Sequence, residues 1–369
     1  MINDNLYVEA HVLQPVPSSN INRDDSGSPK TAIYGGVLRS RVSSQSWKHA
    51  MRMDFQAHSE GADWLKGHRT KRLAYVLAPK LSEKDTSLDE EAALSKAFDV
   101  LKAAGIKATS KDKKSGEDLT DALFLISNGE LEKLAEYATN NEKDNWDKKE
   151  LKEVISRNQS LDLALFGRMM AGNPELGVDA SAQVAHAIST HEIVPEFDFF
   201  TGLDDDKPEN QTGSSFLEAL GYNSSTLYRY ANVNVNELTH NLGSELAVEG
   251  VKQFIKSFIT SMPTGKQNSF ANKTLPQYVM VTVRKDTPVN LVSAFEEPIK
   301  SRNGYVEPSI EHLENEFNDS LQFVEEPLLT AIVTKKQNKI DKKVANLNEL
   351  LEKVSEVLRK EVADESNND

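Results

Sequence analysis

Hydrophobic and polar positions alternate over Leu6–Leu13, with Val8, Ala10 and Val12 on one side and Glu9 and His11 on the other, which predicts a half-buried strand. The period then changes. From Ser44 to Ala57, Trp47, Ala50, Met51 and Phe55 recur at helical spacing behind Ser43 or Ser44 as a cap. Leu161–Phe166 and Gln183–Thr190 read as further strands, and Tyr228–Val235 alternates again, with Arg229, Ala231, Val233 and Val235 together. Glu245–Met262 carries Leu246, Val251, Phe254, Ile255, Phe258 and Ile259 on a helical stripe that Pro263 and Gly265 stop. Tyr278–Arg284 predicts one more strand. The spans between differ in kind. Ser59–Gln159 is rich in Ala, Leu, Lys and Glu and reads as helical, with a loop at Ser110–Asp118. Glu192–Thr226 is polar and turn-rich, Gln337–Val362 predicts a charged helix, and the last residues should fray.

A chain of 369 residues is ample for a sizeable core and has room for more than one domain. The absence of cysteine excludes a disulfide scaffold, a thiolate zinc site and a cysteine nucleophile. No apolar run approaches the roughly 20 residues of a membrane helix, and the first residues lack the pattern of a signal peptide, so no membrane and a cytoplasmic location are expected. The formal net charge of -14 speaks against indiscriminate coating of DNA.

Locally that balance is suspended. Ser26–Met53 contains no Asp or Glu, yet holds Lys30, Arg39, Arg41, Lys48 and Arg52. A segment of one charge sign, threaded with glycines that let backbone approach a ligand, suits a phosphate backbone and implies nucleic acid as partner. Helical spacing gathers Gln45, Lys48, His49 and Arg52 on one side, opposite the apolar residues.

Other constellations carry less. His186, His191 and Glu192 have no metal-ligand spacing, so no metal or cofactor is expected and a structural role is the reading. Gly265-Lys266 lacks the rest of a phosphate-binding loop, leaving Lys266 as a simple phosphate contact. Tyr228 and Tyr230 share a strand face and read as core. Asp24 and Asp25 form an acidic pair beside Arg23 that could hold a metal or activate water, although such pairs commonly order loops.

The strings NRDD, AIYGG and RSRVSSQSWKHAMR, then LDLALFGRMM, VAHAISTHEIVPEFDFFT, YRYANVNVNEL and PTGKQN, occur in this order. Together they resemble the CasC family, the CRISPR RNA-binding backbone subunits of type I-E Cascade. The resemblance covers most of the chain and is weakest over Gly61–Ser160 and after Glu311. It implies an α/β (α+β) fold: a ferredoxin-like, RNA-recognition-motif-like palm with a helical finger insertion and a protruding thumb. The palm would comprise residues 1–58, 161–191 and 227–310, the finger 59–160, the thumb 192–226, and a helical region and tail 311–369. The implied partners are CRISPR RNA, target DNA through the guide, further copies head to tail and the other Cascade subunits. Carried onto this sequence, the RNA backbone contacts would be Arg23, Lys30, Arg41, Ser43, Gln45, Lys48, Arg52 and Lys266. Met169, ordinarily core filler, becomes an apolar wedge that displaces a base. His49 and Asn268 depart from the family's basic residues. No catalysis is expected. The rivals are a type III-like backbone subunit that cleaves target RNA through Asp24 or Asp25, and a general RNA-binding module.

Overall fold

The structure, a computed structural model, describes residues 5–58, 62–108, 110–112, 114–156, 158–170, 172–202 and 217–365. The chain forms two compact units: Met1–Met51, Val184–Asn232 and Lys252–Asp369 make the first, and Arg52–Gln183 with Val233–Val251 the second.

A sheet organises the first unit. From one edge to the other its main path runs Leu329–Thr334, Tyr278–Arg284, Tyr7–Ser19, Leu217–Asn234, Ala187–Ser189, Val37–Val42 and Thr31–Tyr34. Tyr7–Ser19 pairs antiparallel with Tyr278–Arg284 in a register from Tyr7 opposite Arg284 to Leu13 opposite Tyr278. Taken in chain order with the helices Ser44–Ala57 and Ser244–Thr260, the four strands Tyr7–Ser19, Ala187–Ser189, Leu217–Asn234 and Tyr278–Arg284 make a βαββαβ unit. Their order in the sheet is fourth, first, third, second, that of a ferredoxin-like core, with further strands added at both edges.

The first strand is longer than expected and is not half-buried. Glu9 and His11 are as enclosed as Val8, Ala10 and Val12, because both faces of the sheet are covered. On one face Val16, Val42, Leu227 and Met262 pack around Trp47. On the other, Leu13, Tyr228, Tyr230, Tyr278 and Met280 meet Leu291, Phe295, Ile310, Leu313 and Phe317. The buried Glu9 carboxylate survives there by accepting from Tyr230 Oη at 2.8 Å, Thr282 Oγ1 at 3.0 Å and Val289 N at 2.6 Å, with Arg284 at 3.5 Å. Tyr228 and Tyr230 are core, as read.

Three further expectations change. Gln183–Thr190 is two short strands, Ala182–Val184 and Ala187–Ser189, broken where His186 turns outward. The alternation at Tyr228–Val235 is the end of an 18-residue strand, Leu217–Asn234. The last helix is Leu347–Glu365, starting after Lys343 bridges to Ile332 and Val344 N donates to Ile332 O at 2.8 Å. The root of the expected thumb is a hairpin, Glu196–Thr201 against Leu217–Tyr222, and its polar stretch at 203–216 lies outside the described residues.

The second unit is mostly helical: Leu73–Lys84, Glu90–Ala103, Asn128–Asn140 and Lys148–Ile155 enclose a continuous core that includes Leu77, Leu81, Val100, Leu131 and Leu151. Ser127 and Glu130 start the third of these with a reciprocal capping box. The loop read at Ser110–Asp118 is closed by a small pair, Ser110–Lys111 with Asp118–Leu119. Leu161–Phe166, read as a strand, is a short helix with Leu161 to Leu165 all buried; six residues that are apolar but for Asp162, itself enclosed, show no period that distinguishes the two. Among the described residues no helix is long and apolar enough to cross a membrane.

Candidate nucleic-acid interface

In the first unit the cationic segment is built from its loop outward. Asp24 Oδ1 accepts from Ser26 N at 2.9 Å, Ser26 Oγ at 2.7 Å and Ser28 N at 3.0 Å, which holds the turn and, through the Ser26 hydroxyl above all, keeps the carboxyl below its ordinary pKa. Arg23 and Pro29 bridge across the turn, and Lys30 N donates to Asn22 O at 2.9 Å. Asn22 Oδ1 in turn accepts from Ser43 N at 2.8 Å, tying the loop to the entry of the basic helix. Ser43 is buried, and its carbonyl receives Ser46 N and Trp47 N; this places its backbone, rather than an open hydroxyl, at the helix start.

Arg41 N donates to Lys30 O at 2.9 Å, and its Nε to Thr31 O at 3.1 Å. Its Nη1 lies 3.1 Å from Nδ1 of the exposed His186. Partial burial, then Arg41, then Lys30, hold the His186 pKa below its ordinary value, so the ring accepts from Arg41 as a neutral imidazole. His186 therefore belongs with Lys30 and Arg41, which sequence reasoning missed. Only the break between two short strands marks it. His191 is structural as expected, buried and stacked on Tyr305 at 3.6 Å.

Along the basic helix Trp47, Ala50 and Met51 are buried while Gln45 and His49 are exposed. Lys48 is half-buried, and that burial pulls its ammonium below the usual pKa. Lys266 arrives from a distant part of the chain. A Cβ at Gly265 would collide with the Ile21 carbonyl and meet Asn20 O at 3.0 Å, so the missing side chain is what lets the Lys266 loop lie against the root of the Arg23–Lys30 loop. Asn268 is exposed just beyond.

The other glycines and one arginine of the segment serve the fold. Gly35 (φ 59) and Gly36 (φ 78) make the tight turn between Thr31–Tyr34 and Val37–Val42, and a Cβ on Gly35 would strike the Glu296 carbonyl. The close approach is to the chain's own backbone. Arg39 is fully buried, donating to Tyr34 O, Ser189 O and Phe295 O.

The second unit holds the two remaining candidates. Arg52 Nε donates to Asp162 Oδ2 at 2.7 Å and Nη2 to Gly67 O at 3.3 Å, with the side chain 11% exposed and Asp162 closed off entirely. Its guanidinium is thus committed to an internal ion pair and is not offered to a phosphate. Met169 is 94% exposed, which excludes core packing. It is presented by a loop whose base is closed by Arg168 N and Val178 N exchanging hydrogen bonds at 2.9 Å, while buried Arg168 pairs with Glu130 Oε1 at 3.0 Å. No group of three His, Cys, Asp or Glu placed to hold a metal occurs among the described residues.

The family of CT1975-like proteins matches the chain over residues 8–358. Among solved structures, a chain of a CRISPR RNA-guided surveillance complex in a pre-nicking state is 33% identical at a TM-score of 0.83, covering 95% of this chain and 100% of that one. A chain of another CRISPR RNA-guided surveillance complex is 28% identical at a TM-score of 0.74, covering 95% and 99%. No curated protein matches significantly.

Proposed function

The chain belongs to the CT1975-like family of Cas proteins, and from that premise we propose that it is the CRISPR RNA-binding backbone subunit of a Cascade surveillance complex, of type I-E. The observation that carries the reading is the set of cations that the first unit gathers around one buried segment, beside an acidic pair, Asp24 and Asp25, of which Asp24 is taken up in shaping its own loop. Arg23, Lys30, Arg41, Lys48 and Lys266 are supplied by a loop, a strand, a helix and a second loop, all fastened to Asn20–Asn22 and Ser43. Such a surface binds phosphates whatever the bases attached to them, and His186 and Gln45 add hydrogen-bonding capacity.

Several copies would stack head to tail along the guide, each gripping backbone phosphates and each setting Met169 against a base. A head-to-tail contact does not close on itself, so the array grows until other Cascade subunits cap it. Bases between the displaced positions stay free to pair with target DNA; sequence is read by Watson-Crick pairing while the protein positions the strand. The subunit binds and does not cut, in the cytoplasm. The hydrogen bonds of Asp24 support this, because one of its oxygens is occupied in shaping its own loop. Sizing and sequencing the nucleic acid that co-purifies with the chain tests the reading. Discrete guide-length RNA is expected; bulk cellular RNA would make the protein a general RNA binder.

A further inference from the structure

We propose that Tyr222 and Phe270 form an aromatic shelf on which a base of the bound RNA strand stacks, an inference that rests on the RNA-binding function above. The two ring centroids lie 5.9 Å apart with planes at 45°, and both side chains are partly exposed. They come from different parts of the first unit. Tyr222 stands at the root of the hairpin, opposite Glu196, whereas Phe270 ends the helical turn Gln267–Phe270 directly after Lys266.

One buried segment fixes both carriers. The amide of Asn20, fully enclosed, donates to Gly221 O at 2.9 Å and to Gly27 O at 3.0 Å, so the residue before Tyr222 is tied to the cationic loop. Gly265, just before Lys266, packs on the carbonyls of the same Asn20 and Ile21. The turn carrying Phe270 is bracketed by Lys266 (φ 51) and Ala271 (φ 47), both left-handed, a costly conformation for residues with a Cβ that persists only where the surroundings over-determine it. Phe270 N donates to Lys266 O at 3.1 Å, which fixes the Phe270 backbone relative to that lysine. The backbones that carry the two rings are therefore placed before a ligand arrives, which lowers the ordering cost of binding.

The chemistry fits a base. The Tyr222 phenol is neutral at physiological pH, neighbouring Glu196 raising its pKa further, and an uncharged ring is a stacking surface. Lys266 and the Arg23–Lys30 loop hold phosphates beside it, and a base splayed from a bound strand offers a π-face of whatever identity, which suits a subunit that must accept any guide. A mere packing role, in which the pair seals the hairpin root to the loop, differs in what can replace the rings.

The test compares Phe270→Leu, Phe270→Trp and Tyr222→Phe in the full chain, measuring affinity for guide-length RNA and the melting temperature without RNA. Phe270→Leu should keep its melting temperature and lose about 5- to 150-fold in affinity, while the two aromatic replacements keep both. Ultraviolet cross-linking of the unmodified protein to RNA should attach a nucleotide to the peptide holding Tyr222 or Phe270, a readout that needs no variant to fold. Leucine binding as tightly as tryptophan, or cross-links that form elsewhere and spare both peptides, would overturn the shelf while leaving the RNA-binding function standing. An unmodified protein that retains no RNA would sink both.

Discussion

Arg52 and Lys48 sit one helical turn apart, yet the structure assigns them opposite fates on substitution. In Arg52→Glu a carboxylate would replace the guanidinium facing Asp162, whose two oxygens already receive Gly67 N at 2.8 Å, Ser160 Oγ at 2.6 Å and Arg52 Nε at 2.7 Å. Asp162 has no access to water. Breaking a buried pair by removing one partner costs about 3–5 kcal/mol, and the added like charge pushes toward the upper end. For a unit of about 150 residues that is a fall of about 6–20 °C in melting temperature. Lys48→Glu exchanges a half-buried ammonium that burial already disfavours, so its cost should stay near 1 kcal/mol while RNA retention drops.

Thermal denaturation without RNA separates the two, followed by RNA binding across a salt titration. A double-mutant cycle on Arg52→Met and Asp162→Asn should return a coupling energy above about 1 kcal/mol. If Arg52→Glu melted with the parent and lost RNA as completely as Lys48→Glu, the ion pair would be dispensable and Arg52 a phosphate contact after all.

Met169→Ala should change stability by less than about 0.5 kcal/mol, against about 2–5 for a buried methionine, and should instead alter the spacing of protected guide nucleotides in a footprint. A phosphate near His186 would favour its protonated form, so guide affinity should rise as pH falls from 8 toward 6, and His186→Ala should flatten that titration; a parallel slope in the variant would remove His186 from the surface. Burial lowers the His11 pKa to about 3, so between the ordinary 6.5 and 3 the unfolded chain binds a proton that the folded one refuses; stability should fall by up to about 1.4 kcal/mol per pH unit as pH drops through that window, and less steeply in His11→Gln. Complementary RNA should stay uncut in Mg²⁺ or Mn²⁺, and replacing Asp24 and Asp25 by Asn should alter at most loop order and RNA affinity; regularly spaced cuts that vanish in the variant would make the chain a nuclease.

How far the sequence could be read follows from which residues face two environments. The faces of the basic helix are legible, because Trp47, Met51 and Phe55 are buried while Gln45 and His49 meet water, and only Arg52 departs from its expected side. The first strand loses its pattern once Glu9 and His11 are buried by hydrogen bonds that composition does not foretell. Arg39 and Arg52 look like Arg41 as cations in a sequence; what separates them is enclosure, Arg39 among carbonyls that include Ser189 O and Phe295 O, and Arg52 against the buried Asp162 carboxylate, all brought from elsewhere in the chain. Conversely, Met169 looks like core and its exposure is legible only through the resemblance. Charge sign is local and could be read directly, whereas the commitment of each charge is a tertiary property.

That distinction bears on how an acidic protein can hold a polyanion. Setting aside the enclosed Arg39 and Arg52 leaves Arg23, Lys30, Arg41, Lys48 and Lys266 as the candidate phosphate contacts on the first unit of a chain whose formal net charge is -14. At single-strand slopes of about 0.7 per phosphate contact, each of these five that touches RNA adds its share to the salt dependence, and a single copy would bind weakly at physiological salt. The acidic remainder repels any nucleic acid that does not follow the cationic strip. Affinity must then come from many copies engaging one strand, each raising the effective concentration for the next. An array of this kind grips a guide firmly while an isolated subunit lets bulk RNA go, and the dependence of RNA retention on copy number is where the acidic body and the basic strip act together.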